Sequence, residues 1–250
     1  MKLSVTLLSA LGCILLLNSN SLLAQEVNTA QAKKVIKDKA PAVIRVLGVI
    51  KRSASFQGKT QNIPEAKFDA VGLVINPEGM TLVSLTAIGA RIGQGIELKS
   101  TYSNIRLRLT DGTEIPAKIS LEDPELDVAF LKPEPVKDEK LKAKVPKSYP
   151  HFKLESKSKV ELLDTVISMT RLDGTLDYQP SVDVSRVQAI VKKPRNAFQC
   201  GRAPLGGAIL DMEGNLVGIA LRVGSLRAND ANLILTVDEI AETAKQATGK

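Results

Sequence analysis

The sequence is poor in the side chains from which most sites for bases, sugars and metals are built. Aromatic residues make up 3% of the chain, tryptophan is absent, and the one histidine is His151. So few aromatics argue against a stacking surface, and we expect no specific nucleic-acid partner. One histidine with two cysteines, Cys13 and Cys200, also lacks the ligand spacing of a zinc site. The glycines within residues 89–95 fit neither common phosphate-loop spacing, so the sequence indicates no cofactor and no metal.

An export signal is predicted at residues 1–24. A positively charged start, an apolar core at residues 3–17 and the small residue Ala24 follow one another as in a secretory signal. The apolar run is short for a permanent membrane span. We therefore expect a periplasmic or secreted protein, cleaved near Ala24. Cleavage would leave Cys200 as the one cysteine, so no intrachain disulfide could form.

The remaining composition is that of a basic globular protein. Hydrophobic residues make up 44% and charged residues 24% of the 250, and the formal net charge is +7. A positive charge favours an anionic partner at the basic surface. The lysines are spread along the chain, however, so an ordinary solvated surface is the alternative.

The stretch from Ala203 to Leu221 predicts a tight turn followed by a β-hairpin. Apolar runs at 208–210 and 216–221 flank Glu213-Gly214-Asn215, whose residue types favour a turn. This frame resembles the nucleophile segment of trypsin-fold serine proteases, especially the HtrA (Deg) type. In those proteases a Gly-Asn-Ser-Gly-Gly-Pro-Leu turn precedes an Asp-x-x-Gly-x-Val-Val-Gly-Ile hairpin. Leu205 stands at the serine position here, and a leucine has no atom that can attack a carbonyl.

Two further segments carry the same resemblance. A strand and turn at residues 69–79 precede Ser84-Leu85-Thr86, and this order resembles the family segment that carries the catalytic histidine. Thr86 stands at the histidine position. The segment at 121–132 resembles the one that bears the catalytic aspartate, and Asp127 keeps that aspartate. The resemblance therefore implies a degenerate triad at Thr86, Asp127 and Leu205.

The oxyanion turn of the family is also altered. Its N–H donors come from a glycine two residues before the serine and from the serine itself, and these positions are Ala203 and Leu205 here. Pro204 between them has no N–H and biases Ala203 to an extended backbone. Alanine does not readily take a positive φ. Threonine, moreover, cannot act as a general base near neutral pH. The resemblance thus implies a pseudoprotease, a member of the fold without its chemistry.

The resemblance spans about residues 41–247 and implies an all-β fold, a trypsin-like double β-barrel with a short N-terminal helix and a C-terminal helix. Asn28 or Thr29 is expected to cap the first helix, and Asp238 the last. Residues 51–67 have little periodicity and predict an exposed loop. The expected organisation is a signal peptide at 1–24, an N-terminal helical segment at 25–40, a first β-barrel at 41–133, an inter-barrel linker at 134–150, and a second β-barrel with the C-terminal helix at 151–250.

Three functions remain open at this point. The first is a pseudoprotease that binds protein or extended peptide in the inter-barrel cleft. The second is a hydrolase with a rebuilt site, using Ser84 or Thr86 as nucleophile and a lysine as base. The third is a structural or adaptor subunit that uses its basic surface or residues 51–67. The other candidates have plainer interpretations: a surface position for His151, a buried thiol for Cys200, and a structural role for Asp127.

Overall fold

The computed structural model describes residues 28–56, 59–90, 97–155, 159–222 and 233–248. Two antiparallel β-sheets lie between an N-terminal and a C-terminal helix. This architecture confirms the predicted all-β fold with two barrel-like sheets. The predicted signal peptide lies outside the described residues. None of the helices in these ranges has the length and hydropathy that a membrane span requires.

The first sheet closes into a barrel in which the strands follow the order β1-β2-β3-β6-β5-β4. Its interior is filled by β-branched and aliphatic side chains, among them Val46, Leu107 and Leu131, each no more than 1% exposed. The strands are β1 (Val43–Phe56), β2 (Lys59–Val74), β3 (Thr81–Ser84), β4 (Glu97–Arg108), β5 (Glu114–Asp123) and β6 (Val128–Pro133).

The loop predicted at residues 51–67 is wrong. β1 and β2 continue through this segment as a long hairpin, with Arg52 opposite Ile63 and Ser55 opposite Thr60. β1 also pairs with β4 along the same stretch. The ladder extends outward from the buried part of the hairpin, and residues 51–54 and 61–67 of this outer part are partly or fully exposed. No apolar alternation is needed there, so the periodicity gave no signal.

The second sheet has the strand order β8-β7-β11-β12-β13-β10-β9. The predicted hairpin at its centre is confirmed, with Gly214 at φ +85° in the connecting turn. Residues 187–188 separate the strand Pro180–Arg186 from the strand Ala189–Val191. The strands are β7 (Thr165–Arg171), β8 (Pro180–Arg186), β9 (Ala189–Val191), β10 (Ala197–Gln199), β11 (Ala208–Leu210), β12 (Leu216–Ala220) and β13 (Leu233–Thr236).

In the part of the chain that the structure describes, three α-helices accompany the sheets: α1 (Thr29–Lys39), α2 (Glu139–Lys142) and α3 (Val237–Thr248). The Asn28 side chain caps α1 by accepting a 3.0 Å hydrogen bond from the Gln31 amide, and Pro41 lies in the 3₁₀ turn that follows. Asp238 is not the cap of α3, because the helix already begins at Val237. The Asp238 carboxylate lies in the first turn of α3, where its negative charge interacts favourably with the positive end of the helix dipole.

One hydrophobic cluster extends across the junction of the two barrels. Leu73 and Phe130 of the first barrel lie in the same buried cluster as Ile167 and Leu210 of the second. Val35 of α1 and Ile240 of α3 belong to this cluster too, so both helices seal the junction. Burial of this continuous apolar surface fixes the barrels against each other and thereby positions the cleft between them.

Candidate functional site

Asp127 lies at the centre of the barrel junction, in the turn between β5 and β6. Its φ is +60°, and its side chain is fully buried. The carboxylate accepts hydrogen bonds from the Ser84 hydroxyl at 2.6 Å, the Thr86 amide at 2.7 Å and the Arg222 amide at 2.9 Å. It therefore ties the turn after β3 and the segment after β12 to one point.

The structure brings Thr86 and Asp127 together through the backbone. Thr86 lies in the turn at residues 85–89, and it is its amide that binds the carboxylate. The Ser84 hydroxyl donates to Asp127 and accepts from the Ala87 amide at 3.1 Å, while its side chain is completely buried. Both hydrogen-bonding capacities of this serine are thus used inside the protein.

The turn at residues 203–207 presents Leu205 to the cleft. The Pro204 carbonyl accepts from the Gly207 amide at 2.8 Å, and the Gly206 amide donates to the Ala220 carbonyl at 2.7 Å. Gly206 has φ +80°, and a side chain there would begin 3.2 Å from the Val71 carbonyl oxygen of β2. Glycine is required at this contact between the barrels. Ala203 is 8% exposed and does not have a positive φ.

A cavity of about 520 Å³ separates Leu205 from the first barrel. One part of its wall is apolar, formed by Ala70, Val71, Ala87, Pro204 and Leu205. The rest is mainly polar and comes from β1, β2, β7, β8 and the loops beside them: Arg45, Asp69, Ser168, Thr170, Arg171, Leu172, Asp173, Ser181, Val182, Asp183 and Arg202. Thr86 is not part of this wall, but its neighbour Ala87 is.

Two buried arginines form the deep polar wall. Arg45 is 6% exposed and pairs with Asp69, Nε to Oδ1, at 2.6 Å. Its Nη1 donates to the Arg171 carbonyl at 2.7 Å. Arg171 is 9% exposed, and burial, together with the neighbouring Arg45, lowers the pKa of its guanidinium. The two positively charged guanidinium groups therefore lie close together where little water reaches them.

Sequence reasoning missed this polar wall. Ser168 and Thr170 alternate with Ile167 and Met169, which is the signal of a strand with one polar face. Periodicity does not tell whether a polar face meets water or another barrel. Nothing in the sequence indicated that Arg45 and Arg171 are buried, because arginine is mostly found at the surface.

His151 and Cys200 lie outside the cavity wall. His151 is partly buried on the chain before β7, and its Nδ1–H donates to the Tyr149 carbonyl at 2.9 Å. Cys200 is 3% exposed and lies in the core of the second barrel with Phe198 and Val166. Burial raises the pKa of its thiol, and the nearby Asp183 carboxylate adds to this, while a hydrogen bond to Ser185 opposes it. Within the described ranges no group of three His, Cys, Asp or Glu side chains is placed to hold a metal ion.

Cys200 should react slowly with a thiol reagent in the native protein. Because its folded pKa is raised, the protonated form persists as pH rises, and burial restricts access. Stability should fall once pH exceeds the pKa of the unfolded thiol, since only the unfolded chain then ionises freely. We expect Ellman's reagent to label the chain lacking residues 1–24 on the order of 100-fold more slowly in buffer than in concentrated guanidinium chloride. Cys200→Ser supplies the blank, and equal rates in both solvents would contradict the expectation.

The comparisons with known proteins identify one family. The family model described as trypsin-like peptidase domain matches residues 71–219, more than half of the chain. The matched region runs from β2 of the first barrel to β12 of the second and includes Thr86, Asp127 and Leu205. No curated protein matches the chain.

Proposed function

The chain belongs to the trypsin-like peptidase domain family, and we propose that it is an exported, HtrA-like member without proteolytic activity that binds protein or extended peptide in the cleft between its barrels. The observation that carries this proposal is the side chain at the cleft floor. Leu205 lines the cavity at the place where the nucleophile motif aligns, and it brings no nucleophile there.

The proton-transfer groups support the same proposal. A trypsin-like mechanism needs an imidazole to take the nucleophile's proton and a carboxylate to orient that imidazole. The position next to Asp127 holds Thr86, and the carboxylate is hydrogen-bonded to one hydroxyl and two backbone amides. Asp127 thus orients backbone instead of a base. Loss of nucleophile and base together removes a rate enhancement of many powers of ten.

The oxyanion turn supports it as well. A trypsin-like hole uses backbone N–H groups aimed at a developing negative charge. Pro204, between the two donor positions Ala203 and Leu205, has no N–H and fixes its own φ. Ala203, at the position of the donor glycine, lacks the positive φ that glycine permits.

A binding role is favoured by the open strand beside the cavity. Among the described residues β8 is the last strand of its sheet on that side, and Ser181, Val182 and Asp183 of this strand line the cavity. Val182 is 42% and Val184 37% exposed. An edge strand with exposed apolar side chains can accept an extended peptide by main-chain pairing. A peptide bound in this way would place a side chain near Leu205.

Activity measurements test the first half of the proposal. The chain lacking residues 1–24 should not digest casein and should not react with a fluorophosphonate probe, because no activated hydroxyl lies in the cleft. Mass spectrometry of the probe-treated protein gives the readout. An adduct on any residue near position 205 would contradict inactivity, and an adduct on Ser84 would favour a rebuilt hydrolase. The complete burial of Ser84 disfavours that alternative.

Binding measurements test the second half. Fluorescein-labelled casein, used as an extended chain, should bind the protein, and Leu205→Arg should weaken binding at least about tenfold by filling the cavity. Leu162→Arg is the matched control, because Leu162 is 60% exposed and does not line the cavity. An equal loss of casein affinity in both variants would favour the adaptor with a basic surface instead. So would casein binding that disappears with added salt in the unaltered chain and in both variants.

Export is tested separately. The full-length chain, expressed in a Gram-negative host, should appear in the periplasmic fraction with Gln25 as its N-terminal residue. Retention of Met1 in the cytoplasmic fraction would remove export from the proposal and leave the binding role to be judged by the experiments above.

A further inference from the structure

The polar groups around the cavity are divided by depth. Four polar side chains of its wall are buried, and each of them can donate a hydrogen bond: Arg45, Ser168, Thr170 and Arg171. Of the three carboxylates of the wall, Asp173 and Asp183 belong to exposed residues, and the Asp69 side chain is 30% exposed. Donors therefore dominate the interior and acids the rim.

This division decides the sign of the field inside the cavity. Exposed carboxylates are screened by water and salt, whereas buried guanidinium groups are screened far less. Asp69 already accepts from Arg45 through both Oδ1 and its carbonyl oxygen. The Asp173 carboxylate already accepts from the amide and the hydroxyl of Thr175. Three acids and three arginines line the cavity, and the charged side chains buried in its wall are those of Arg45 and Arg171.

Arg171 strengthens this asymmetry. Its Nε, Nη1 and Nη2 donate to the carbonyl oxygens of Val43, Tyr178 and Ala40, at 2.8, 2.8 and 3.0 Å. No carboxylate lies within ion-pair distance of its guanidinium among the described residues. Carbonyl dipoles satisfy its hydrogen bonds but do not cancel its net charge. A negative group entering the cavity would relieve the repulsion between Arg171 and Arg45.

Ser168 supplies an unused donor. It is 1% exposed, and its Oγ has no hydrogen-bond partner among the described residues. On β7 it lies between Ile209 of β11 and Asp183 of β8, in the wall of the cavity. A buried hydroxyl without a partner costs free energy, so folding alone does not explain its place. Thr170, two residues further along the strand, adds a second hydroxyl on the same face.

We infer that the peptide bound in this cleft places an acidic side chain, such as that of glutamate, in the cavity, where the Ser168 hydroxyl and the Arg45 guanidinium receive its carboxylate. This inference rests on the proposed function. Leu205 and Pro204 on the apolar wall would pack against the methylene groups of the glutamate, and the buried donors would meet its charged end. Ser168 is thereby a specificity-determining residue for the ligand.

Four labelled heptapeptides test the inference on the chain lacking residues 1–24. Each alternates valine and threonine, and the central residue is Glu, Gln, Leu or Lys. Fluorescence anisotropy should show the Glu peptide binding at least about tenfold more tightly than the Gln peptide, which keeps its shape but not its charge. The Lys peptide should bind most weakly.

Ser168→Ala separates recognition from folding. It should reduce the preference for Glu over Gln at least about threefold, because a charge-assisted hydrogen bond is lost. The midpoint of urea unfolding should stay the same or rise, since an unpartnered hydroxyl is removed. Ser103→Ala, on an exposed residue of β4 outside the cavity wall, is the matched control and should change neither quantity.

The outcomes distinguish this inference from the proposed function. Equal affinities for the four peptides, with casein binding still sensitive to Leu205→Arg, would overturn the acidic specificity and leave the binding role intact. A Glu preference that Ser168→Ala leaves unchanged would overturn the assignment to this cavity and point to the outer basic surface. If neither casein nor any of the peptides binds, both proposals fail.

Discussion

Asp127→Ala should destabilise the protein by about 3 kcal/mol or more, because a buried donor left without its acceptor costs about 1–3 kcal/mol and a partly buried one costs less. The substitution removes the acceptor of the buried Ser84 hydroxyl and of the partly buried amides of Thr86 and Arg222. Alanine also tolerates the φ of +60° at this position less well than aspartate does. A loss of this size is a large part of the total stability of a typical domain, about 5–15 kcal/mol. Urea unfolding followed by circular dichroism measures it.

Asp127→Asn and Asp138→Ala are the matched controls. Asparagine keeps an acceptor oxygen and accepts a left-handed backbone, so it should cost about half as much as alanine. Asp138 is an exposed cap of α2, bonded to the Leu141 amide at 2.8 Å, and its removal should cost about 1 kcal/mol. If Asp127→Ala proved no more harmful than Asp138→Ala, the carboxylate would have no structural role. Its retention in the fold would then need a chemical explanation.

The parts of this fold that the sequence predicted are those coded by local chemistry. The hairpin of β11 and β12 is marked by Gly214 between two apolar runs, and helix α1 by the capping residue Asn28. The meeting of Thr86 with Asp127 was expected through motif resemblance, since residues 41 positions apart carry no local signal of contact. Motif and local pattern together therefore predicted the architecture.

The parts that it did not predict depend on packing between the barrels. Arg45 and Arg171 read as surface residues, yet they become buried because the two barrels meet around them. Ser168 reads as the polar face of a strand, yet that face turns to a cavity instead of to bulk water. The periodicity of the sequence predicts which face of a strand is polar. It does not predict whether that face meets water or another part of the protein.

The positions at which the family resemblance places the triad have structural roles in this protein. In a protease of this fold the turn before β11, the turn after β3 and the turn before β6 must hold reacting groups in fixed geometry. Here the same turns are held by the Gly206 contact with Val71 and by the hydrogen bonds of Asp127. Under the proposed function these fixed turns would serve recognition, since preorganised walls lower the entropy cost of binding.

Arg171→Leu should destabilise the protein by about 3 kcal/mol or more. The guanidinium joins β1 and the 3₁₀ turn of residues 40–42 to the turn after β7, through Val43, Ala40 and Tyr178. Leucine fills part of the space but leaves three carbonyl oxygens without their donor, and each such buried group costs about 1 kcal/mol or more. Urea unfolding at constant pH gives the difference in free energy.

Two further variants test whether the loss of stability in Arg171→Leu depends on the geometry of the guanidinium group. Arg171→Lys keeps the charge but has one amine on a flexible stem, so it should recover less than half of the loss. Arg186→Leu removes an exposed arginine whose Nη1 makes a single 3.0 Å bond to the Leu163 carbonyl, and it should change stability by no more than about 0.5 kcal/mol. Full recovery with lysine would show that charge alone is needed at position 171. Equal stability of Arg171→Leu and the unaltered chain would mean that the barrels are held together by their shared apolar core without this arginine.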